Sequence, residues 1–465
     1  MSETVPAPRA QLVRALTLRD LVLFNLVAVL GLRWLATSAK TGPSALVLWL
    51  LAAVFFFVPQ GMAVIRLSSR FPDSGGVYQW TKQTFGEGHG FFCGWCYWVC
   101  NVMYYPNLLI STAAIATFVV GKGESGLADD WRYVLLATLV CLWGAVALNI
   151  VGVGTGKWLQ NIGGIGSYIP GVILVALGVH ALFTRPSANT FSMGGMIPSF
   201  RDFGTLNLWS SIAFAYAGLE LSSTMGDEVK DASRTLPRSV LISAPLIAAM
   251  YMLGTFSLLW IVPVGDLNIV SGFLQGIAMG TRHLGESLWW IAPVSAAAYT
   301  VGNIGGVGAW LSGPARVAFV IGLDRYFPPA FGKVHPRWRT PYVAILVQAA
   351  LASVFLVVSL LGKGTTVEEA YLILLLTQLL VYFIPYLYLF ACLIVQARRD
   401  PSGTTRGRDI VAGVTGAVMT AFAMILAAVP SGGENAWLFE LKVVGGALFF
   451  VVIGLGIYWR ARRTA

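Results

Sequence analysis

Apolar residues gather into blocks of about 20 along almost the whole chain, each long enough to cross a bilayer as a helix, with short polar joints between them. Twelve blocks are legible, at 20–41, 44–66, 89–120, 132–152, 159–183, 206–226, 238–262, 287–320, 341–361, 367–396, 409–430 and 436–458. The pattern predicts an all-α integral membrane protein. It would have a single transmembrane domain over 20–460, a short cytoplasmic segment 1–19 and a cytoplasmic tail 461–465.

Two of the blocks are interrupted. The first carries Gly31 and the charged Arg33 in mid-sequence and ends on a Thr41-Gly42-Pro43 breaker, while the sixth carries Gly218 and the acid Glu220. They lie five spans apart. That spacing is expected if spans 1–5 and 6–10 form two inverted repeats, a five-plus-five arrangement with two discontinuous helices and two extra ones. Between spans 2 and 3 an Asp73-Ser-Gly-Gly turn leads into an amphipathic stretch, which predicts an interfacial helix. Segment 323–340 is basic and rich in proline, so it reads as a semi-rigid inner loop or as a contact for anionic lipid.

Composition narrows the class. The chain of 465 residues is 57% hydrophobic and 11% charged, with mean hydropathy +0.73, which no soluble globular domain approaches. A net charge of +10 would suit a nucleic-acid binder, but its distribution argues otherwise. With the N-terminus inside, 22 of the 31 Lys and Arg residues fall in cytoplasmic segments and 8 outside, leaving Arg33 within span 1. The bias follows the positive-inside rule and predicts a multi-pass protein of the cell or inner membrane with both termini cytoplasmic. No nucleic-acid partner is expected. No cleavable signal peptide is expected either, since the first 20 residues are polar and basic without a small-residue cleavage site.

The candidate chemistry sits at the interruptions. A carboxylate at membrane depth is costly and marks a functional site by default, so Glu220 is a candidate for proton sensing or substrate ordering. Its bland alternative is a brace that caps the adjoining half-helix. An opened helix presents unpaired N–H groups at one end and unpaired carbonyls at the other. Two such openings face to face would hold a zwitterion by its α-carboxyl and α-amino groups. Arg33 would bind a substrate carboxylate or act as a fixed cation, unless it snorkels to the outer surface. Asn101, Tyr104 and Tyr105 in span 3 and Asn303 in span 8 would line a cavity or merely tie helices together. Thr377, Gln378, Tyr382 and Tyr386 form a polar stripe in span 10, a candidate gate.

Other features are bland. Cys93, Cys96 and Cys100 share a helix face and read as small packing groups, since a metal would need a fourth ligand. The four histidines pair with no nucleophile or acid in a recognisable arrangement, and no phosphate-binding Gly-rich loop with Lys is present. No cofactor or metal is expected.

Four stretches together resemble the amino acid–polyamine–organocation permease family, and within it the glutamate/γ-aminobutyrate antiporter subgroup. They are Ala28-Val-Leu-Gly-Leu-Arg33 with Ala36-Thr-Ser38; Asp73-Ser-Gly-Gly-Val-Tyr-Gln-Trp80; Ala217-Gly-Leu-Glu220 with Asp227-Glu228; and Trp310-Leu-Ser-Gly-Pro-Ala-Arg316. The resemblance covers about 15–460. It implies alternating access through the five-plus-five fold. It places Ala28, Val29, Leu30 and Gly31 in the unwound turn of span 1. Phe214 falls where an aromatic covers the substrate, and Gly218 and Glu220 in the unwound turn of span 6. The chain departs from relatives in having Ala28-Val29-Leu30 for a Gly-Ser-Gly triplet, Gly306 for an acid, and Gly163-Gly164 where some relatives carry a lysine.

The expectation is a secondary active transporter of amino acids or related small amines, driven by a proton gradient or by exchange. Substrate contacts are expected from Ala28, Val29, Leu30, Gly31, Arg33, Asn101, Tyr105, Phe214, Ala215, Ala217, Gly218 and Asn303, with coupling or gating by Glu220, Arg33, Tyr382 and Tyr386. The partners would be the substrate, a coupling proton and the lipid bilayer, as monomer or dimer. A multispan enzyme would need a clustered nucleophile–base pair or metal ligands at membrane depth, and a channel would need rings of like residues in an oligomer. The sequence shows no such pair or ligand set, and one broken-helix bundle per chain argues against a channel; these two remain the alternatives.

Overall fold

The computed structural model describes residues 14–121, 126–151, 153–199, 203–324, 326–360, 366–400, 403–429 and 436–464. Among them the only regular structure is helical, apart from one isolated bridge. Ten helices are long and apolar enough to cross a membrane, and an eleventh crossing is made by the bent pair Leu18–Val29 and Arg33–Ala39. Span 6 does not meet that length, because its helix Phe203–Ala215 stops after 13 residues. Ten or eleven of the twelve apolar blocks thus fold as crossings among the described residues, and the sixth does not fold as one helix.

Both interruptions have a local cause. In span 1 the last α-type bond runs from Leu30 N–H to the Leu26 carbonyl, and the chain resumes with the shorter-range bonds of Trp34 to Gly31 and Leu35 to Leu32. The two halves meet at a 40° bend. In span 6 the chain turns through Gly218 at φ 128°, a conformation that L side chains avoid. A Cβ there would also stand 3.1 Å from Val29 and 3.2 Å from the Trp310 ring. Beyond it, Leu219–Glu228 winds as a 3₁₀ helix rather than the expected α-helical half. Ser222, Ser223 and Thr224 each donate to the carbonyl three residues back, which favours the tighter winding.

Span 2 contains a π turn at Ala53–Phe57, and span 3 kinks at Cys100 between Glu87–Val99 and Asn101–Val119. Spans 5 (Val153–Thr184) and 8 (Ile291–Leu323) pack backbone to backbone. A Cβ on Gly166 would fall 2.5 Å from the Ala298 carbonyl oxygen, so the glycines of this pair serve close packing. Large apolar residues remain exposed on span 4 (Leu136, Val140), span 11 (Val411, Val418, Ile425) and span 12 (Leu448, Val452), the faces that lipid would cover. Cys93, Cys96, Cys100 and Cys392 are buried.

The connection after span 2 does form a helix, Val77–Phe85, but Tyr78, Trp80 and Thr81 are buried, so it packs beneath the bundle. The same end is tied by the N-terminal segment. Ala15 and Leu16 N–H groups both donate to the Glu228 carbonyl at 3.0 Å, and Lys230 N–H returns to the Leu16 carbonyl at 3.0 Å.

Candidate functional site

Between the two interruptions lies a small cavity of about 20 Å³, enough for a water or two. Span 1 contributes Val27, Ala28, Val29, Leu30, Gly31, Arg33 and Trp34; span 6 contributes Phe214, Ala215 and Ala217. Tyr104 and Leu108 of span 3, Asn303, Gly306 and Trp310 of span 8, and Gln378 and Tyr382 of span 10 (Val367–Arg399) complete the wall. Twelve of the residues singled out in the sequence thus share one hollow: Ala28, Val29, Leu30, Gly31, Arg33, Tyr104, Phe214, Ala215, Ala217, Asn303, Gln378 and Tyr382.

Six others stand outside the wall, among them Thr377, which donates to the Val443 carbonyl at 3.4 Å. Asn101 donates to the Tyr97 carbonyl at 2.8 Å, and Tyr105 donates to the Trp310 carbonyl at 2.8 Å. Gly218 N–H donates to the Tyr386 hydroxyl at 2.7 Å. Glu220 and Tyr386 lie behind Tyr382.

The exposed peptide groups at the breaks are largely braced by aromatic side chains. Gly31 N–H donates to the Tyr251 hydroxyl at 3.1 Å and Arg33 N–H to the Tyr299 hydroxyl at 3.3 Å. The Tyr251 hydroxyl in turn lies 2.6 Å from the Val29 carbonyl and 3.1 Å from that of Ala215, so one phenol spans both interruptions. Trp310 Nε1–H donates to the Ala28 carbonyl at 2.9 Å. Tyr251, Tyr299 and Trp310 come from spans 7 and 8, far along the chain, and in sequence look like ordinary core aromatics.

Phe214 closes one side. Its ring meets those of Trp34 and Tyr382 edge-on, with centroids 5.6 and 5.7 Å apart. Trp310 stands 4.9 Å from Tyr104 and 5.7 Å from Tyr382, which makes the wall an aromatic box.

Glu220 is completely buried and is not a helix cap, because four side chains hold its carboxylate. Oε1 accepts from the hydroxyls of Tyr382 and, at 3.2 Å, Tyr97. Oε2 accepts from Tyr386 at 2.5 Å and from Gln60 Nε2 at 3.2 Å. The Tyr386 hydroxyl already receives Gly218 N–H and, at 2.7 Å, Gln60 Nε2–H, so its own proton must point at Glu220. Four donors fill the acceptor positions of a carboxylate, and a proton arriving on either oxygen must displace one of them.

Arg33 is 2% exposed, which rules out snorkelling. Its guanidinium carbon lies 4.4 Å from the centre of the Trp34 ring and 5.7 Å from that of Tyr104.

Towards the N-terminal end, a buried ion pair closes the way below. Arg316 Nε and Nη2 donate to the two oxygens of Glu228 at 2.7 and 2.8 Å, and Nη1 donates to the Ser312 carbonyl at 2.6 Å. Nearby, Tyr78 and Lys82 both donate to Asp324, the lysine at 2.8 Å. Burial, with Asp324 beside it, pushes the Tyr78 hydroxyl far above the ordinary phenol range, so it remains a donor.

The profile of the amino acid permease family matches residues 16–456. The chain belongs to that family. It is 29% identical over 453 residues to an uncharacterized transporter of Legionella pneumophila, covering 95% of this chain and 96% of that one. A probable agmatine/putrescine antiporter of Lactococcus lactis is 25% identical, with 90% and 89% covered. A glutamate/γ-aminobutyrate antiporter of the same species is 22% identical, with 82% and 77% covered. Family and helical membrane fold together make this permease a multi-pass membrane transporter, and these relatives carry the names of transporters rather than enzymes.

Proposed function

We propose that the permease is a secondary active transporter of amino acids or related small amines, working by alternating access within one transmembrane domain, 20–460. The observation that carries this reading is the placement of the small cavity, whose wall takes residues from both interruptions and from no soluble segment. The substrate sits between spans 1 and 6 under Phe214. Its polar ends face the cation of Arg33 and the carbonyls around Ala28, Val29 and Ala215. At about 20 Å³ the cavity is far smaller than an amino acid, so its walls must part to admit one.

Coupling to a proton gradient or to exchange is supported by two features. Glu220 couples the loop at Gly218 to Tyr382 in the cavity wall through shared hydroxyls, so its protonation rearranges both. The names of the two Lactococcus relatives are those of antiporters. The N-terminal end of the bundle, with Arg66, Lys82 and Arg316, is assigned to the cytoplasm by the positive-inside rule. The test is purified protein in liposomes offered labelled amino acids and amines, with and without an imposed pH gradient or preloaded counter-substrate. Gradient- or preload-dependent accumulation is expected. Flux that never exceeds equilibration under any gradient would indicate a channel instead.

A further inference from the structure

Arg33 is an anomaly that transport in general does not require. It is a buried cation in a cavity whose wall holds no acid, and no ion pair involving it exists among the described residues. Its Nε is buried without a hydrogen-bond partner. Its neighbours are aromatic: the faces of Trp34 and Tyr104, and the hydroxyl-bearing rings of Tyr299 and Tyr371. The guanidinium also donates to the Tyr104 hydroxyl, but a neutral phenol and aromatic faces stabilise it by far less than a carboxylate does, so this desolvated arginine keeps an unpaired Nε and no counter-charge. The backbone N–H groups that could otherwise take an anion here are already engaged. Gly31 N–H is held by Tyr251, and Arg33 N–H by Tyr299. For an ammonium the wall offers only neutral acceptors, including Gln378 Oε1, which is buried and has no partner.

We infer that the Arg33 guanidinium, rather than the opened backbone of span 1, is the carboxylate receptor of this site, and that the transported substrate must carry a carboxylate. The inference rests on the transport reading above and narrows it from amino acids or amines to amino acids. A substrate carboxylate supplies the missing counter-charge and accepts from the guanidinium, while its ammonium turns to Gln378 and the carbonyls opposite. A diamine would bring two cations into a hollow that already holds one and would meet no acid in its wall.

The test pairs each amino acid with its own decarboxylation product, arginine with agmatine, ornithine with putrescine and tyrosine with tyramine. The side chain is then constant and only the carboxylate changes. Two readouts are taken, counterflow in proteoliposomes and ligand-induced rise in melting temperature in detergent. In the wild type the amino acid of at least one pair is expected to exceed its amine by about 10- to 100-fold in apparent affinity, the range for losing a hydrogen bond to a charged group. Arg33→Gln is expected to erase that preference and raise KM by a similar factor with a smaller change in kcat, and Arg33→Lys to restore part of it. The melting temperature of each ligand-free variant separates misfolding from lost recognition. Amines that bind as well as their amino acids, no binding by any member, or unchanged preference in Arg33→Gln would overturn the assignment. Arg33-dependent binding without exchange would sink the transport reading and leave the receptor role standing.

Discussion

Two buried charges organise the middle of this permease, and they are solved in opposite ways. Glu220 is saturated: three phenols and one amide point at it. Arg33 is not, and faces the cavity. Glu220→Gln replaces an acceptor-only group by one that also donates, so it sets an NH₂ against hydroxyl donors and against Gln60. The expected outcome is a flattened pH dependence of uptake in proteoliposomes at near-normal expression. An unchanged pH profile would reduce Glu220 to a brace. Phe214→Ala opens the aromatic box on its Trp34 and Tyr382 side and should raise the apparent KM by about tenfold, as expected for loss of a well-packed aromatic lid. Equal affinity would remove Phe214 from the binding site. Both residues were legible in sequence, Glu220 because an acid in an oily run is conspicuous and Phe214 only through family resemblance. Tyr97, Tyr251 and Tyr299 were not. A tyrosine in an apolar span looks the same whether its hydroxyl braces a break or fills a gap, and only the three-dimensional pairing of spans 1, 3, 7 and 8 tells them apart.

At the level of elements, the two breaks depend on each other. A side chain at Gly218 would press on Val29 and the Trp310 ring, and Tyr251 bridges the carbonyls of both interruptions. Gly218→Ala adds a side chain at positive φ in that contact, and should cut the initial rate of uptake severely while the protein still inserts, as checked by surface labelling. Below the cavity, the Arg316–Glu228 pair is buried on both sides. Removing one partner strands the other, so Glu228→Gln should lower stability by about 3–5 kcal/mol, read as a fall in melting temperature. The double change Arg316→Met with Glu228→Met should recover most of it. If the double variant melts no higher than the single one, the pair is not an isolated latch. The sequence showed that spans 1 and 6 break, since glycine and charge are visible in an apolar run. It did not show that span 6 continues as a 3₁₀ helix, a choice made by the consecutive hydroxyls of Ser222, Ser223 and Thr224. Nor did it pair Glu228 with Arg316, which lie 88 positions apart and were visible only as members of separate family-like stretches.

For the whole molecule, hydropathy was the most informative signal. A bilayer-length period is written in residue type alone and needs no tertiary context. What it could not supply was which faces meet, and therefore where the hollow lies. On the N-terminal end the ion pair, the Tyr78–Asp324–Lys82 cluster and the strap at Leu16 hold the helices together. Under the proposed alternating access these elements would have to move apart. The most direct measurement places a thiol in the wall, by Ala217→Cys, in sealed vesicles of a transport-active variant. Reaction with a membrane-impermeant thiol reagent is then followed from each side in turn. The expected result is modification from either side, slowed by a transported amino acid at concentrations near its KM. Vesicles that still transport that amino acid while it gives the introduced thiol no protection, or in which the reagent never reaches that thiol, would contradict the placement of the substrate between the two broken spans.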